Sequence, residues 1–316
     1  MTAKIIEAIG SANSFLITAH ENPDGDAVGS SLALANFLAE QGKDVTVYFA
    51  DPLPEIYFFL PLADTVVAQI PDRHFDICFV LDVGEFRRAG SALPKASIGS
   101  FINIDHHLTC EPFGAINLID VNASATGALI HRVVKESGRA ISYEVALCIY
   151  VAVISDTGSF RYSNSDPEAF AIAGEMIAAG VNAWYVAEHL YESQPPERLK
   201  LLGAALETLD FSPRGDFASI TVTLDMYRET GGSAELTDGF INYPRSIRGV
   251  EVAVFFRQLR PGLYKVGFRS KGKINVAALA ERFGGGGHHN AAGGTVEGEI
   301  DEVKGLVFPH LEKALA

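Results

Sequence analysis

Cysteine is scarce in this chain: Cys78, Cys110 and Cys148 are its only three, widely spaced and in no CxxC pattern. Their rarity excludes a disulfide framework and a thiolate metal cluster. It points instead to reduced thiols in a cytoplasmic compartment, with Cys78 and Cys148 serving as core filler. Long apolar runs are also missing. The longest notable one, residues 145–154, is far too short to cross a bilayer, so no membrane span is expected. Residues 1–20 lack a basic segment followed by a long apolar one, which excludes a secretory signal reading. There is no internal repeat, and the only low-complexity tract is the glycine run at 284–287.

Cations are sparse in the first two thirds: residues 1–211 hold 12 Lys+Arg against 27 Asp+Glu. Residues 212–316 hold 13 against 12, and there Arg245, Arg248, Arg257, Arg260, Lys265, Arg269, Lys271 and Lys273 face only Glu251. The acidic remainder disfavours long duplex nucleic acid. The local basic run reads either as a solvated face or as a place for a short anionic substrate.

What is present is an alternation of strands and helices. Strands are expected at 14–19, 44–49, 75–83, 100–104 and, more weakly, 116–119, with a helix at 25–41 that carries Val28, Leu32, Ala35 and Leu38 on one face. Helices follow at 125–137, 143–155, 167–179 and 183–191. This rhythm implies an α/β fold with a mostly parallel sheet flanked by helices. A polar, proline-bearing stretch at 193–196 marks a boundary. The expected division is a first domain over 1–190, a linker helix region over 191–211 and a smaller α+β domain over 212–316. The last has strands at 217–224, 250–259, 263–270 and 294–296, a helix at 276–283, a glycine-rich loop and a closing helix from about Asp301.

Acidic residues and histidines stand where apolar runs end, the place where open α/β folds build their sites. His20, Asp24 and Asp26 lie in His-Glu-Asn-Pro-Asp-Gly-Asp, after one strand and at the opening of the next helix. Alternate aspartates point apart, so Asp24 and Asp26 suit two different ions better than one. Either could instead cap the helix. Asp82 ends a strand buried on both faces, where a carboxylate needs a partner to offset its desolvation. It bridges cations or caps a loop. Asp105-His106-His107 occupies the same strand-end position. Asp156 ends an apolar helix, where the helix dipole disfavours a carboxylate unless a cation is near.

These segments, with residues 81–90, 154–158 and 283–293, resemble the DHH/DHHA1 phosphoesterase superfamily. The likeness is to its short two-domain branch of bacterial oligoribonucleases that also dephosphorylate 3′-phosphoadenosine 5′-phosphate. The resemblance implies His20, Asp24 and Asp82 on one metal, and Asp26, Asp82, His106 and Asp156 on the other. It implies Asp105 as an orienting group and His107 as a contact to the substrate phosphate. It places Arg269 as a phosphate anchor, against the alternative of an ion-paired strand residue, and Arg88 as a support or an ordinary surface arginine. Gly285, Gly286 and Gly287 would let backbone amides approach a phosphate, with His288 donating to it. Phe160 and Tyr162 either stack on a base or pack in the core.

The resemblance implies two divalent ions, usually Mn²⁺, and a site of carboxylates and two imidazoles without thiolate agrees, suiting Mn²⁺ or Mg²⁺ better than a structural zinc, with Mg²⁺, Zn²⁺ or Co²⁺ also able to enter. The expected chemistry is in-line hydrolysis at a two-metal centre in the cleft between the domains. Substrates would be short single-stranded oligonucleotides or the nucleotide bisphosphate, and a homodimer is compatible with the resemblance. Two other readings share the sequence: a cyclic or linear dinucleotide phosphodiesterase, and a phosphate-binding regulator without catalysis.

Overall fold

Residues 15–17, 77–81 and 101–105 are short apolar runs whose side chains are buried on both sides of the backbone, which is the signature of strands inside a covered parallel sheet. The computed structural model describes residues 1–316, His288 by its backbone alone. The chain divides into two compact units, Met1–Ser193 and Gln194–Ala316.

In the first unit β1 (Ser14–Thr18), β2 (Asp44–Tyr48), β3 (His74–Leu81), β4 (Ser97–Asp105) and β5 (Ile116–Ile119) form one sheet in the order β2-β1-β3-β4-β5. Every neighbouring pair is parallel. Phe15, Ile17, Phe79, Leu81, Ile102 and Ile104 face one core, and Leu16, Phe75, Cys78 and Val80 face the other.

Onto the first core pack α1 (Thr2–Ser11), α2 (Gly25–Ala39), α3 (Thr126–Glu136), α4 (Tyr143–Asp156), α5 (Pro167–Ala178) and α6 (Ala183–Ala187). The opposite face is closed by the 3-10 segments Phe86–Ala89 and Leu93–Lys95. Helices α2 and α4 are buried almost all round and form the centre of the helical layer. Cys78 and Cys148 are buried free thiols within these cores.

Strand order reverses between β1 and β3, because β2 lies on one side of β1 and β3 on the other. Such a reversal opens a crevice beyond the carboxyl ends of the two strands. The loops leaving β1, β3 and β4 all end there.

The second unit holds a sheet in the order β10-β11-β9-β8-β7-β6. Its elements are α7 (Pro196–Glu207), β6 (Asp210–Phe211), β7 (Phe217–Val222), α8 (Leu224–Thr230), α9 (Asn242–Ser246), β8 (Val252–Arg260), β9 (Leu263–Ser270), α10 (Val276–Ala280), β10 (Gly286–His288), β11 (Ala291–Glu297) and α11 (Ile300–Leu315). Only β7 and β8 pair in parallel. Val254, Phe256, Val266 and Phe268 form a core with α10 and α11. On the other face Ile220 and Val222 pack with Leu201, Leu202 and Phe240.

Several elements differ from the sequence reading. Helix α7, expected as part of a connector, packs by Leu201, Leu202 and Ala205 into the second unit. The glycine-rich loop is partly a strand, since β10 pairs with β11 through Gly286 opposite Gly293. The helix expected over 183–191 is α-helical only to Ala187, and Glu188–Glu192 is a π-helical turn. Helices α1, α8 and α9 were not anticipated. Each is short, and α1 buries only Ile5 and Ile9. No single helix among the described residues is long and apolar enough to cross a membrane.

Candidate metal centre

The first loop is shaped before any ligand enters. Asp24 is the N-cap of α2, accepting from the amides of Asp26 and Ala27 at 3.1 Å. Helix capping and an outward-facing carboxylate thus coexist, since the Asp24 side chain is 61% exposed. The amide of Glu21 donates to the Arg88 carbonyl at 2.7 Å, and that of Asn22 to Asp51 at 2.8 Å, so the segment before Asp24 is braced from two loops. Gly25 is required for close approach, because a Cβ there would lie 2.1 Å from the Ser155 Oγ of α4.

Asp26 is held more firmly. Its Oδ1 accepts from Ser30 Oγ at 2.8 Å and from the Gly127 amide at 2.9 Å, and its Oδ2 from the Thr126 amide at 2.6 Å. Both amides belong to the first turn of α3, where backbone N–H groups have no helical partner and favour an anion. Asp82 lies just past β3 with φ +57°, a left-handed conformation that Asp tolerates better than most residues. It is 2% exposed and accepts from Thr126 Oγ1 at 3.0 Å.

The histidines are oriented by carbonyls and a carboxylate. His20 Nδ1 lies 2.8 Å from the Glu21 carbonyl, and His106 Nδ1 lies 3.1 Å from that of Ala123. A carbonyl only accepts, so each Nδ1 carries the proton and each Nε2 is left to face the site. His20 Nε2 is 3.8 Å from Asp24 and 3.7 Å from Asp82. His106 Nε2 is 3.7 Å from Asp26, 3.5 Å from Asp82 and 3.8 Å from Asp156. Asp105, fully buried, accepts from the Gly84 amide at 2.6 Å, the His107 amide at 2.8 Å and His107 Nδ1 at 2.7 Å.

All six residues expected to bind metal therefore converge. Donor atoms of His20, Asp24 and Asp82 lie within 4.8 Å of one another, as do those of Asp26, His106 and Asp156. Asp82 lies beside both sets, since its Oδ2 faces His20 and its Oδ1 faces His106.

The electrostatics show what the cluster lacks. Burial, then the charges of Asp82 and Asp156, hold Asp26 well above the usual carboxylate range. Burial, with Asp82 and Asp24 adding to it against His106, pushes Asp156 up to about 7. Burial lowers the histidines, but Asp24 and Asp82 more than reverse it and raise His20 to about 9, while Asp105 and Asp82 raise His107 to about 11. Carboxylates that press against each other and take up protons are a donor set arranged for positive charge. Oxygen donors, two free imidazole nitrogens and no thiolate fit hard divalent cations.

The sequence reading missed three contributors. Thr126 supplies a hydroxyl and an amide, and the Ala123 carbonyl orients His106. Asn164 donates to the Asp156 carboxylate at 2.9 Å and to the Ser124 carbonyl at 2.9 Å. The Ser-Ala-Thr-Gly turn at 124–127 was the available signal, a helix start just after the last strand of the sheet.

Other candidates fall elsewhere. Arg88 contributes its carbonyl to the loop brace, and its guanidinium lies 3.4 Å from the Val83 carbonyl. Phe160 stacks on Phe170 at 4.8 Å and packs against the core, and Tyr162 lies against Gly158. In the second unit Arg269 is half-buried on β9, opposite Ala291 and Ala253. Gly285 and Gly287 are needed for packing, since a Cβ would lie 2.0 Å from the Gly293 carbonyl or 2.5 Å from that of Ala291, whereas Gly286 has open space. The His288 side chain lies outside what the structure describes.

A parallel sheet with an acid- and histidine-lined crevice at its switch point, followed by a separate α+β unit, places the chain among α/β proteins with a candidate divalent-cation centre. Residues 14–153 match the DHH family N-terminal domain, and residues 220–308 match the DHHA1 domain. The chain is 32% identical to the bifunctional oligoribonuclease and PAP phosphatase NrnA of Thermus thermophilus, covering all of this chain and 94% of that one. It is 26% identical to the protein of the same name from Bacillus subtilis, over 94% of this chain and 93% of the other. A crystal structure of an exopolyphosphatase-related protein from Bacteroides fragilis superposes with a TM-score of 0.92 at 30% identity, covering 99% of this chain and 95% of that one. The chain belongs to the DHH/DHHA1 phosphoesterase family.

Proposed function

We propose that this chain is a divalent-cation-dependent hydrolase that degrades short oligonucleotides to mononucleotides and converts 3′-phosphoadenosine 5′-phosphate to AMP and phosphate. The observation that carries the reading is Asp82, one carboxylate facing two separate sets of donors. The full-length likeness to a relative named for both activities supports the choice of substrates.

His20, Asp24 and Asp82 would hold one ion, and Asp26, Asp82, His106 and Asp156 the other, with Mn²⁺ the best match to the donors and Mg²⁺ or Co²⁺ next. When bound, such a pair supplies Lewis acidity at the phosphoryl oxygens and an acidified water for in-line attack. The remaining work belongs to the chain. Amides of α3 and the Ser30 hydroxyl stop Asp26 from swinging, so the donor geometry exists before binding. His107 is tied at Nδ1 to Asp105, which with Asp82 and against the effect of burial raises it to about 11 in the metal-free protein and favours its protonated form. Its Nε2–H is then the donor for a phosphate oxygen on which charge builds. Arg269, with the amides of Gly285, Gly286 and Gly287, is assigned to the substrate phosphate.

The test is Mn²⁺-dependent release of mononucleotides from labelled di- to pentanucleotides, run beside phosphate release from the adenosine bisphosphate. Asp82→Ala is expected to abolish both activities while near-ultraviolet circular dichroism shows the fold retained. Turnover that survives in this variant, or a wild-type protein inert toward every substrate, overturns the reading.

A further inference from the structure

Cations of the basic run at 245–273 meet different surroundings once it is folded. Lys271 is tied through Nζ to the Ile247 carbonyl, and Arg260 lies 4.0 Å from Glu297. Arg257 and Lys265 share one face of the sheet with Arg269. Arg257 sits directly opposite Lys265 in the β8–β9 ladder, and Ala253 sits opposite Arg269. Side chains at 265, 267 and 269 share one face of β9, so all three cations project from the same side of the sheet.

The strand between Lys265 and Arg269 has a glycine on this face, and the Ile241 side chain lies 3.7 Å from where a Cβ on Gly267 would be. Gly267 lies between Lys265 and Arg269, with Gly293 opposite it on β11. Thr295 stands opposite Lys265 and Ala291 opposite Arg269. Toward β7 the same face is covered by Phe240, Leu201 and Leu202 over Ile220 and Val222, whereas Lys265 and Thr295 are exposed.

Like charges directly opposite each other destabilise a strand pair. Among the described residues no carboxylate lies within salt-bridge reach of Arg257 or Lys265. Arg257 is steadied only by the Ala234 carbonyl at 3.2 Å. Although Lys265 is exposed, desolvation by its neighbours and then the charges of Arg257 and Arg269 pull its ammonium below the ordinary value. A cross-strand cation pair kept without a counter-charge is a surface that gains stability when an anion lies on it.

We propose that Arg257 and Lys265 extend from Arg269 as a track for the backbone phosphates of a single-stranded oligonucleotide, so that they favour substrates longer than one nucleotide. Lys265 and Arg269 are four residues apart on a strand, about 13 Å. That exceeds the separation of the two phosphates on a single nucleotide but suits a chain of a few. The inference rests on the hydrolase reading above for the identity of the substrate.

The experiment compares kcat/KM for a pentanucleotide and for the adenosine bisphosphate in wild type, in Arg257→Gln/Lys265→Gln and in Arg257→Gln/Lys265→Arg. The double glutamine variant should lose about tenfold more on the pentanucleotide than on the bisphosphate. The slope of log kcat/KM against log salt for the pentanucleotide should fall by about 1.4, two phosphate contacts at about 0.7 each. Arg257→Gln/Lys265→Arg should restore roughly half of that slope. Equal losses on both substrates, or an unchanged salt slope, overturn the proposal. Fluorescence anisotropy of a labelled pentanucleotide on the same proteins separates the two claims. If wild type hydrolyses nothing, the hydrolase reading fails. A pentanucleotide affinity that drops in the glutamine variant then still supports the track, and an unchanged affinity refutes it.

Discussion

Asn164 shows how much of the site depends on residues that carry no chemistry of their own. Its amide joins the Asp156 carboxylate to the Ser124 carbonyl, fixing the one candidate ligand that stands at a helix C-terminus against the helix dipole. Partners that orient a ligand in this way typically contribute 10–100-fold to metal affinity. Asn164→Ala should therefore raise the Mn²⁺ concentration needed for half-maximal activity by about 10–100-fold, while kcat at saturating metal changes far less. A titration in which only kcat fell would assign Asn164 to the substrate instead. The six candidate ligands were legible in the sequence because aspartates and histidines at the ends of apolar runs are chemically conspicuous. Asn164, Thr126 and the Ala123 carbonyl were not. An asparagine in a loop has many ordinary uses, and Thr126 reaches Asp82 only through a contact 44 residues away along the chain.

At the level of elements, the centre depends on how closely α2, α3 and α4 approach. A Cβ on Gly29 would lie 2.6 Å from the Cys148 carbonyl, and one on Gly127 would lie 2.4 Å from the Ala152 Cβ. Both clashes are with backbone or short side chains that cannot turn away. Gly29→Ala should thus destabilise the first unit by about 1–3 kcal/mol through overpacking. Gly174, inside α5, has nothing within 4 Å of its Cβ position. There alanine should stabilise by about 0.5–1 kcal/mol through helix propensity and a less flexible unfolded chain. Urea unfolding of the two variants checks the opposite signs, and a neutral Gly29→Ala would mean that α2 and α4 are free to shift. The long helices and the parallel strands were readable from apolar spacing. The breaks within helices were less so. The π-helical turn after Ala187 continues the apolar pattern, and β10 is built of glycines whose strand pairing comes from the backbone alone. Composition there suggests a loop, whereas the ladder to β11 makes a strand.

Over the molecule as a whole, the site links folding to both protons and metal. Without a cation, Asp156, raised to about 7 chiefly by burial, and Asp26, raised in the same way, hold protons that the unfolded chain releases near the ordinary value of 3.8. A raised carboxylate contributes stability below its unfolded pKa and loses it as pH climbs through the folded one. His20 and His107 act with the same sign. Their contribution is complete below 6.5 and is lost as pH rises through about 9 and about 11, because Asp24, Asp105 and Asp82 outweigh the effect of burial. Asp105 opposes this trend, since His107 and two amides depress it below the usual range in spite of its burial. Its stability is lost only as pH falls below about 4. From pH 6 to 8.5 the metal-free protein should therefore lose several degrees of Tm. Divalent ions at this candidate centre would bind the deprotonated carboxylates and the unprotonated Nε2 atoms, so their affinity should rise over the same interval. Because a ligand that binds only the folded state stabilises it in proportion to the logarithm of its concentration over Kd, the gap in Tm between Mn²⁺ and chelator should widen with pH. Differential scanning fluorimetry at fixed Mn²⁺ and in excess EDTA, across pH 6 to 8.5, measures both curves. A metal-free Tm that rises with pH would mean that a cation from the chain itself already neutralises the cluster, and the argument for a metal centre would lose its electrostatic basis.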